Sequence, residues 1–496
     1  MSNLRRHAVT IIPGDGVGPE VAIATRRILD AAAARGGVAF DWEEAEAGAS
    51  VFLKGDQTGV PQATRDSIER TRVALKGPLE TPVGFGEKSA NVTLRKLFET
   101  YANVRPAREL PGIPTRYKGE GVDMVIVREN IEDLYAGIEH LQTHDVAQAV
   151  KLITRKGSEK IIRFAYELAL RENRKKVTTA SKANILKFTE GMFKRIGEEL
   201  AAEYAPIEAN HLIIDNVAHQ MVKDPAQFDV IVATNLHGDI ISDLASGLVG
   251  GLGFASSANY GDEVAIFEAV HGSAPKYAGK NVNPTALILS ATMMLRHIGE
   301  LDLADQVEDA VLATLEDGKA LPQDVVRQQG GDVEAAVSTT GFTEAVIENL
   351  GRGPTSVPTA ASRPRATKVK PHPRWVDGEK RHAEVGPALV LGVDIFLESL
   401  LSPAEIGAKL AALSGPTFNL RMVSSRGVVV WPKAAPAFDH VGFFRARFVA
   451  RDAAASVSNE ELLALVTRVA GVAQWVHLEK LRSWGGEEGF TRAAGE

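Results

Sequence analysis

Not one of the 496 residues is cysteine, which excludes a disulfide framework, thiolate metal sites and a cysteine nucleophile. Long apolar runs are missing too. The longest, around Ala286–Leu295, falls well short of the roughly 20 residues a membrane helix needs. Positive charge is not in excess: the formal net charge of -7 argues against nucleic acid or an anionic membrane as the main partner. The opening Met-Ser-Asn-Leu-Arg-Arg-His has no secretory apolar region, so a cytoplasmic protein is expected. The Gly-X-Gly-X-X-Gly fingerprint is absent as well, because Pro13-Gly14-Asp15-Gly16-Val17-Gly18-Pro19-Glu20 places its third glycine too early for a Rossmann turn. No internal repeat is found.

What remains has the composition of an ordinary globular protein, long enough for two or three domains. Strands are predicted at Ala8–Ile12, Val73–Lys76, Val122–Arg128, Val177–Ala180, His211–Asp215 and Val230–Thr234. Helical patterns separate most of them, which predicts an α/β body. Ala147–Thr154 could be a strand reaching outside that body. Composition breaks near Gly351, and residues 353–384, rich in Pro, Ser, Thr, Arg and Lys, read as a linker. Order then resumes: strand Ala388–Leu397, helix Ala404–Leu413, paired strands Asn419–Ser424 and Val428–Trp431, strand Val441–Ala450, helix Glu460–Val469 and strand Gln474–Leu481. That order approximates β-α-β-β-α-β with one additional strand, a small α+β domain over 385–496.

Several segments carry chemistry. Leu94, Leu97, Phe98 and Tyr101 recur at helical spacing, with Ser89 and Asn91 placed ahead to cap the helix. Arg95 lies one turn in and Arg105 begins the extended segment that follows. A capped helix terminus flanked by guanidiniums suits an anion, although a capped surface helix with solvated arginines has the same pattern. Asp239 and Asp243 stand four residues apart in a predicted helix. Their like charges repel unless something positive lies between them, and a hard divalent cation is the obvious candidate; an exposed acidic first turn is the alternative. The loop from Glu268 to Gly279 is built of small residues from which His271, Lys276 and Tyr277 project, and it could hold a phosphate. Arg128, Tyr135, Lys182 and Asn184 follow the ends of predicted strands, where open sheets bind ligands.

Taken together, these stretches resemble the isocitrate/isopropylmalate family of β-decarboxylating dehydrogenases, and within it the branch acting on isocitrate. The resemblance runs over about Val9–Leu350 and rests on Pro13–Glu20, Lys76-Gly77-Pro78, Lys88–Arg108, Arg128-Glu129-Asn130, Lys182–Asn184, Asn235–Asp243 and His271–Gly279. The C-terminal extension resembles that of the larger bacterial, Thermus-like members. The fold implied is a two-domain core of the isopropylmalate-dehydrogenase type, not a classical Rossmann fold. It comprises a large domain (1–100 and 250–350), a small domain (101–135 and 157–249) and a clasp-like dimer segment (136–156).

The resemblance also implies roles. Arg95, Arg105 and Arg128 would bind substrate carboxylates. Ser89 and Asn91 would contact the γ-carboxylate, where isopropylmalate relatives carry apolar residues. Asp239 and Asp243, with Asp215 of the partner subunit, would hold Mg²⁺ or Mn²⁺. Lys182, also from the partner, would assist proton removal, and Tyr135 would act as general acid. A homodimer is then obligatory, and a higher oligomer through the C-terminal domain is open. The implied reaction is the NADP-dependent oxidative decarboxylation of isocitrate to 2-oxoglutarate, a step of the tricarboxylic acid cycle. For the cofactor, Lys276 and Tyr277 fit the extra phosphate of NADP; His271, Gly272, Ser273, Ala274, Pro275, Asn283 and Arg327 would complete its site. The sequence departs from relatives in three places: a loop between Gly279 and Asn283 that is one residue shorter, Gln323 where some NADP enzymes have tyrosine, and His237 in place of asparagine. Sister enzymes acting on homoisocitrate or isopropylmalate are the alternatives. A catalytically silent regulatory subunit is the third, and it would be expected to have lost Tyr135, Lys182 or the aspartates.

Overall fold

Short runs of Val, Ile and Ala, shielded on both faces, become the strands of one large sheet. The computed structural model describes residues 4–80, 89–363, 387–433, 438–452, 455–494 and 496. Lys88 and most of the 353–384 stretch lie outside them. In chain order the first strands are β1 Arg5–Ile12, β2 Val38–Glu44, β3 Val73–Lys76, β4 Ala102–Arg108, β5 Asp123–Glu129, β6 Glu139–Thr143, β7 Val146–Ala149, β8 Lys176–Ser181, β9 Glu208–Ile213, β10 Val230–Ala233, β11 Ser256–Tyr260 and β12 Ala265–Ala269. All but β6 and β7, which pair with each other, form a ten-stranded sheet in the order β2-β1-β3-β12-β11-β4-β5-β10-β8-β9. Pairing is parallel toward both ends, whereas β11 and β4 run antiparallel to both of their neighbours. Strands early and late in the chain therefore share a sheet with those from its middle, and several buried charged residues described below lie on the strands of this join.

Four of these strands were not anticipated as such. β11, Ser-Ser-Ala-Asn-Tyr, is fully buried but small and polar, so it has no hydrophobic signature. Asp215 was placed at the end of a strand; it lies instead in the first turn of helix Ile214–Lys223. The helix expected through Tyr101 ends early: it spans Ala90–Leu97, Glu99 takes φ 44°, and Leu97 is exposed. Ser89 occupies the N-cap position, yet its side chain makes no capping bond to the helix, and Asn91 lies inside the helix rather than ahead of it. The first turn is closed by the Ser89 carbonyl, which accepts from Thr93 N–H at 2.9 Å.

Two compact units emerge, residues 1–137 with 150–373 and residues 138–149 with 374–496. In the second unit, β13 Leu389–Glu398, β14 Phe418–Ser425, β15 Val428–Trp431, β16 Phe443–Ala450, β17 Gln474–Trp484 and β18 Glu487–Glu488 form a sheet in the order β15-β14-β16-β13-β17-β18. Its principal pairs are antiparallel. Helices Pro403–Ala412 and Asn459–Ala470 each begin with a capping box, on Ser402/Glu405 and Ser458/Glu461. Their apolar faces join Ile395, Phe444 and Phe448 in one core. The expected β-α-β-β-α-β order is present, with β15 as the additional strand and the two-residue β18 as one more that was not expected. Alternation along the strands turns Asp394 and Arg447 to the opposite face. There Arg447, 1% exposed, is held by both oxygens of Asp394 at 2.8 Å and by Glu496 at 2.8 Å. Replacing Asp394 by Ala leaves the buried Arg447 with Glu496 as its remaining carboxylate partner and two donor atoms unpaired, so this unit should lose about 2–3 kcal/mol, seen as a lower urea midpoint for its unfolding transition.

Candidate active site

Arg128 closes β5 and is almost wholly buried. It fits because residue 238 is glycine: a Cβ there would lie 2.7 Å from the Arg128 side chain. Its Nε and one terminal nitrogen donate to Asn235 Oδ1 at 3.1 and 2.8 Å, and the other nitrogen pairs with Asp239. Asn235 and Asp239 both ride on helix Asn235–Leu248, which starts three residues before the predicted Gly238. Arg105, from β4, reaches the same helix, donating to Ser242 Oγ at 2.7 Å, Asp239 at 3.2 Å and Asp243 at 3.4 Å. A positive group does lie between the two aspartates, and it is this guanidinium. Tyr135 donates to the second oxygen of Asp239 at 2.6 Å, and its ring lies 4.9 Å from the Arg128 guanidinium.

Charge is concentrated here at a cost. Burial, then the nearby Arg95 and Arg105 guanidiniums, push Arg128 down to about 9. Burial opposes ionisation of Asp239, but Arg128, Arg105 and the Tyr135 hydroxyl outweigh it and hold the carboxyl below its ordinary range. Asp243 goes the other way, raised by burial and by Asp239. Burial and the bond to Asp239 raise Tyr135, which keeps its proton. Beside them the buried Lys76 and Glu268 pair, and Arg95 reaches Glu268 at 3.3 Å. Glu268 also accepts from Asn259 at 2.7 Å. Three buried polar atoms here have no partner: Asn91 Oδ1, Arg95 Nε and Arg105 Nε.

Lys182 and Asp215 form a separate pair with each other. No hydrogen bond or ion pair described for either side chain reaches Tyr135, Asp239 or Asp243. Among the described residues no group of three or more His, Asp or Glu is gathered as a metal site within one chain. The cofactor-loop candidates form a third group, in which His271 feels the charge of Lys76. His271–Ala278 is braced by the glycine-rich turn, where Val17 N–H donates to the Ser273 carbonyl at 2.9 Å. Gly16 has φ 59°, and a Cβ on it would collide with that oxygen. Ala274 takes φ 40° and turns the chain into the short helical turn Pro275–Tyr277, leaving Lys276 and Tyr277 exposed. Asn283 donates to Asp324 at 3.0 Å and accepts from Thr285 at 2.6 Å. Gln323 and Arg327 share helix Gln323–Gln328; nothing in the structure explains the glutamine.

The family model described as isocitrate/isopropylmalate dehydrogenase matches residues 8–346. The chain belongs to the isocitrate/isopropylmalate dehydrogenase family. A second model, bacterial isocitrate dehydrogenase, C-terminal domain, matches residues 389–496. Among curated relatives, isocitrate dehydrogenase (NADP) of Thermus thermophilus is 55% identical over 497 residues, covering 99% of this chain and 96% of that one. The enzyme of the same name from Rickettsia bellii is 39% identical, covering 98% and 99%. A crystal structure of a Thermus thermophilus protein superposes with a TM-score of 0.90 at 54% identity, over 99% of this chain and 96% of that one. The fold is thus that of the family, a mixed α/β core with an antiparallel C-terminal unit.

In this family member, sequence reasoning overlooked several supports of the site. Lys76 left a usable signal, a lysine closing the apolar strand Val-Ala-Leu-Lys, since a buried charge needs a partner. Asn235 and Gly238 left none beyond their place in a motif. Glu129 is the most testable. Burial raises it to about 7, although the N–H groups of Ile131 and Glu132 pull it down. Its folded pKa stands above the unfolded value of about 4.3. Its stability contribution is therefore complete below that value and is lost as pH rises through about 7. Glu129→Gln should accordingly gain on the wild type between pH 5 and pH 8, measured by urea midpoints across that range. A constant difference between the two would refute this.

Proposed function

We propose that this protein catalyses the oxidative decarboxylation of isocitrate to 2-oxoglutarate and CO₂ with NADP as hydride acceptor. One observation carries the reading: Arg95, Arg105 and Arg128 converge in a buried site whose like charges are only partly neutralised. Lys76 and these three arginines face three carboxylates, Glu268, Asp239 and Asp243. A divalent cation added there brings the surplus to about three positive charges, the charge of a tricarboxylate. The printed names of the Thermus and Rickettsia relatives support the same substrate and cofactor.

Roles follow from chemistry. Arg95, Arg105 and Arg128 bind the carboxylates, exchanging their bonds to Asp239 and Asp243 for bonds to substrate. Ser89 and Asn91 meet the γ-carboxylate, and the polar character of both disfavours the alkyl group of isopropylmalate. Asp239 and Asp243, with Asp215 of a second subunit, supply the hard oxygens that suit Mg²⁺ or Mn²⁺. When bound, the metal polarises the substrate hydroxyl and neutralises charge developing on that oxygen. NADP accepts the hydride from C2; the exposed Lys276 and Tyr277, with Arg327, suit its extra phosphate. His271, Gly272–Pro275 and Asn283 form the rest of its bed. Lys182 removes the hydroxyl proton, and Tyr135, kept protonated by its setting, delivers a proton to C3 after CO₂ leaves.

The reading requires a homodimer, because Lys182 and Asp215 serve the neighbour's site. Exposed Ile185 and Phe188 follow Lys182 in sequence, Val222 follows Asp215 and Ile240 follows Asp239, apolar side chains of the kind a second copy would cover. The hairpin β6–β7 is the clasp in this proposal. Two assays test it. Isocitrate with Mg²⁺ or Mn²⁺ should drive reduction of NADP well above that of NAD, and a chelator should abolish it; no NADP-dependent turnover overturns the reading. Tyr135→Phe and Lys182→Met should each lower kcat by about 100-fold or more. Mixed and reassociated, the two dead variants should recover about a quarter of wild-type activity, since half of the dimers are hybrids and each hybrid has one intact site. No recovery would refute shared sites.

A further inference from the structure

Behind Tyr135 and Lys182 lies a buried polar cluster that none of these roles uses. Asp133, fully buried, has φ 67° at the start of the turn Leu134–Ala136. One of its oxygens accepts from Leu134 N–H at 2.8 Å and the other from Leu236 N–H at 3.0 Å. It therefore joins the turn that carries Tyr135 to the start of the helix that carries Asp239. Glu190, also fully buried, accepts from the backbone N–H of Lys182 at 3.1 Å and from Thr234 Oγ1 at 3.2 Å. His237 lies 3.5 Å from it, which gives the substituted histidine a contact. A single ammonium joins these two carboxylates: Lys151 Nζ is 2.5 Å from Asp133 and 2.7 Å from Glu190.

We propose that Lys151 is a positioning residue for both proton-transfer groups, fixing Tyr135 through Asp133 and Lys182 through Glu190. Without the ammonium, two buried carboxylates that share it repel, and each is free to release the backbone it holds. Hydrogen bonds to backbone N–H groups at a φ of 67° are the kind that surrounding structure must enforce. A displacement of about 1 Å in a proton-transfer group costs on the order of 100-fold in rate. The inference rests on the shared-site reading and extends it. Tyr135 works in its own subunit's site and Lys182 in the partner's, so one Lys151 lies between groups belonging to two different sites. A change at Lys151 in one subunit must reach both.

Hybrid dimers decide the matter. Lys151→Met is made with one affinity tag, wild type with another, and the mixed dimer is isolated on both. The Lys151→Met homodimer should lose about ten-fold or more in kcat with KM for isocitrate within about three-fold. The wild-type/Lys151→Met hybrid should fall clearly below half of wild-type activity, as both sites are impaired. Lys151→Arg, which keeps a cation between the carboxylates, should restore most of kcat. A hybrid at half of wild-type activity or above overturns the proposal. So does a homodimer whose kcat is unchanged. The Tyr135→Phe/Lys182→Met hybrid, isolated the same way, is the control: about half activity is expected with shared sites and none with unshared ones, so an inactive hybrid faults the shared-site reading itself rather than Lys151. If Lys151→Met does not fold, Lys151→Gln takes its place with the same criteria, since it retains N–H donors but no charge.

Discussion

Three guanidiniums brought together in a buried place repel one another, and the neighbouring structure is arranged around holding them there. Arg128 cannot enter unless residue 238 lacks a side chain. Its buried charge is partly offset by Asp239, which at the same time pairs with Arg105 and accepts a hydrogen bond from Tyr135. Arg95 is steadied by Glu268, which Lys76 in turn neutralises. Such a constellation stabilises the folded chain poorly, since desolvation consumes much of the Coulombic gain. In the proposed reaction its value would lie in preorganisation: cations aimed at a polyanion would need no assembly when it arrives.

This arrangement also explains why the aspartates are tethered to arginine in the free chain. A carboxylate pair four residues apart on one helix repels, and the guanidinium of Arg105 occupies the gap. Substrate and metal entering together would exchange each partner for a better-matched one, arginine for carboxylate and aspartate for metal. Charge stays close to balanced in both states, which keeps the buried site from demanding a large rearrangement.

Around this first group, the chain uses a second tier of buried ions of a different kind. Asp133 and Glu190, joined by the Lys151 ammonium, accept from backbone N–H groups at the starts of a turn, a helix and the loop carrying Lys182. The C-terminal unit has its own version in Arg447 and Asp394, on the face of the sheet away from its helices. In each case a fully satisfied polar network specifies one geometry, where an apolar contact of equal strength would tolerate several.

Much of the fold was legible in local pattern. The β-α-β-β-α-β order of the C-terminal unit and the strand at Val73–Lys76 follow from periodicity and capping, which depend on neighbours a few residues apart. β11 was not, because Ser, Ala and Asn carry no hydrophobic period and are buried only by partners distant in the chain. Residue identity by itself marked the arginines as candidates for an anion and the aspartate pair four apart as candidates for a cation; the roles expected of Tyr135 and Lys182 came with the family resemblance. Tertiary structure alone decided that Arg105 separates Asp239 from Asp243, that the Ser89 carbonyl closes the first helical turn, and that Lys151 ties Asp133 to Glu190. The two side-chain links turn on contacts between residues 18 to 138 positions apart, and no local pattern encodes the length or direction of a side chain reaching across a sheet.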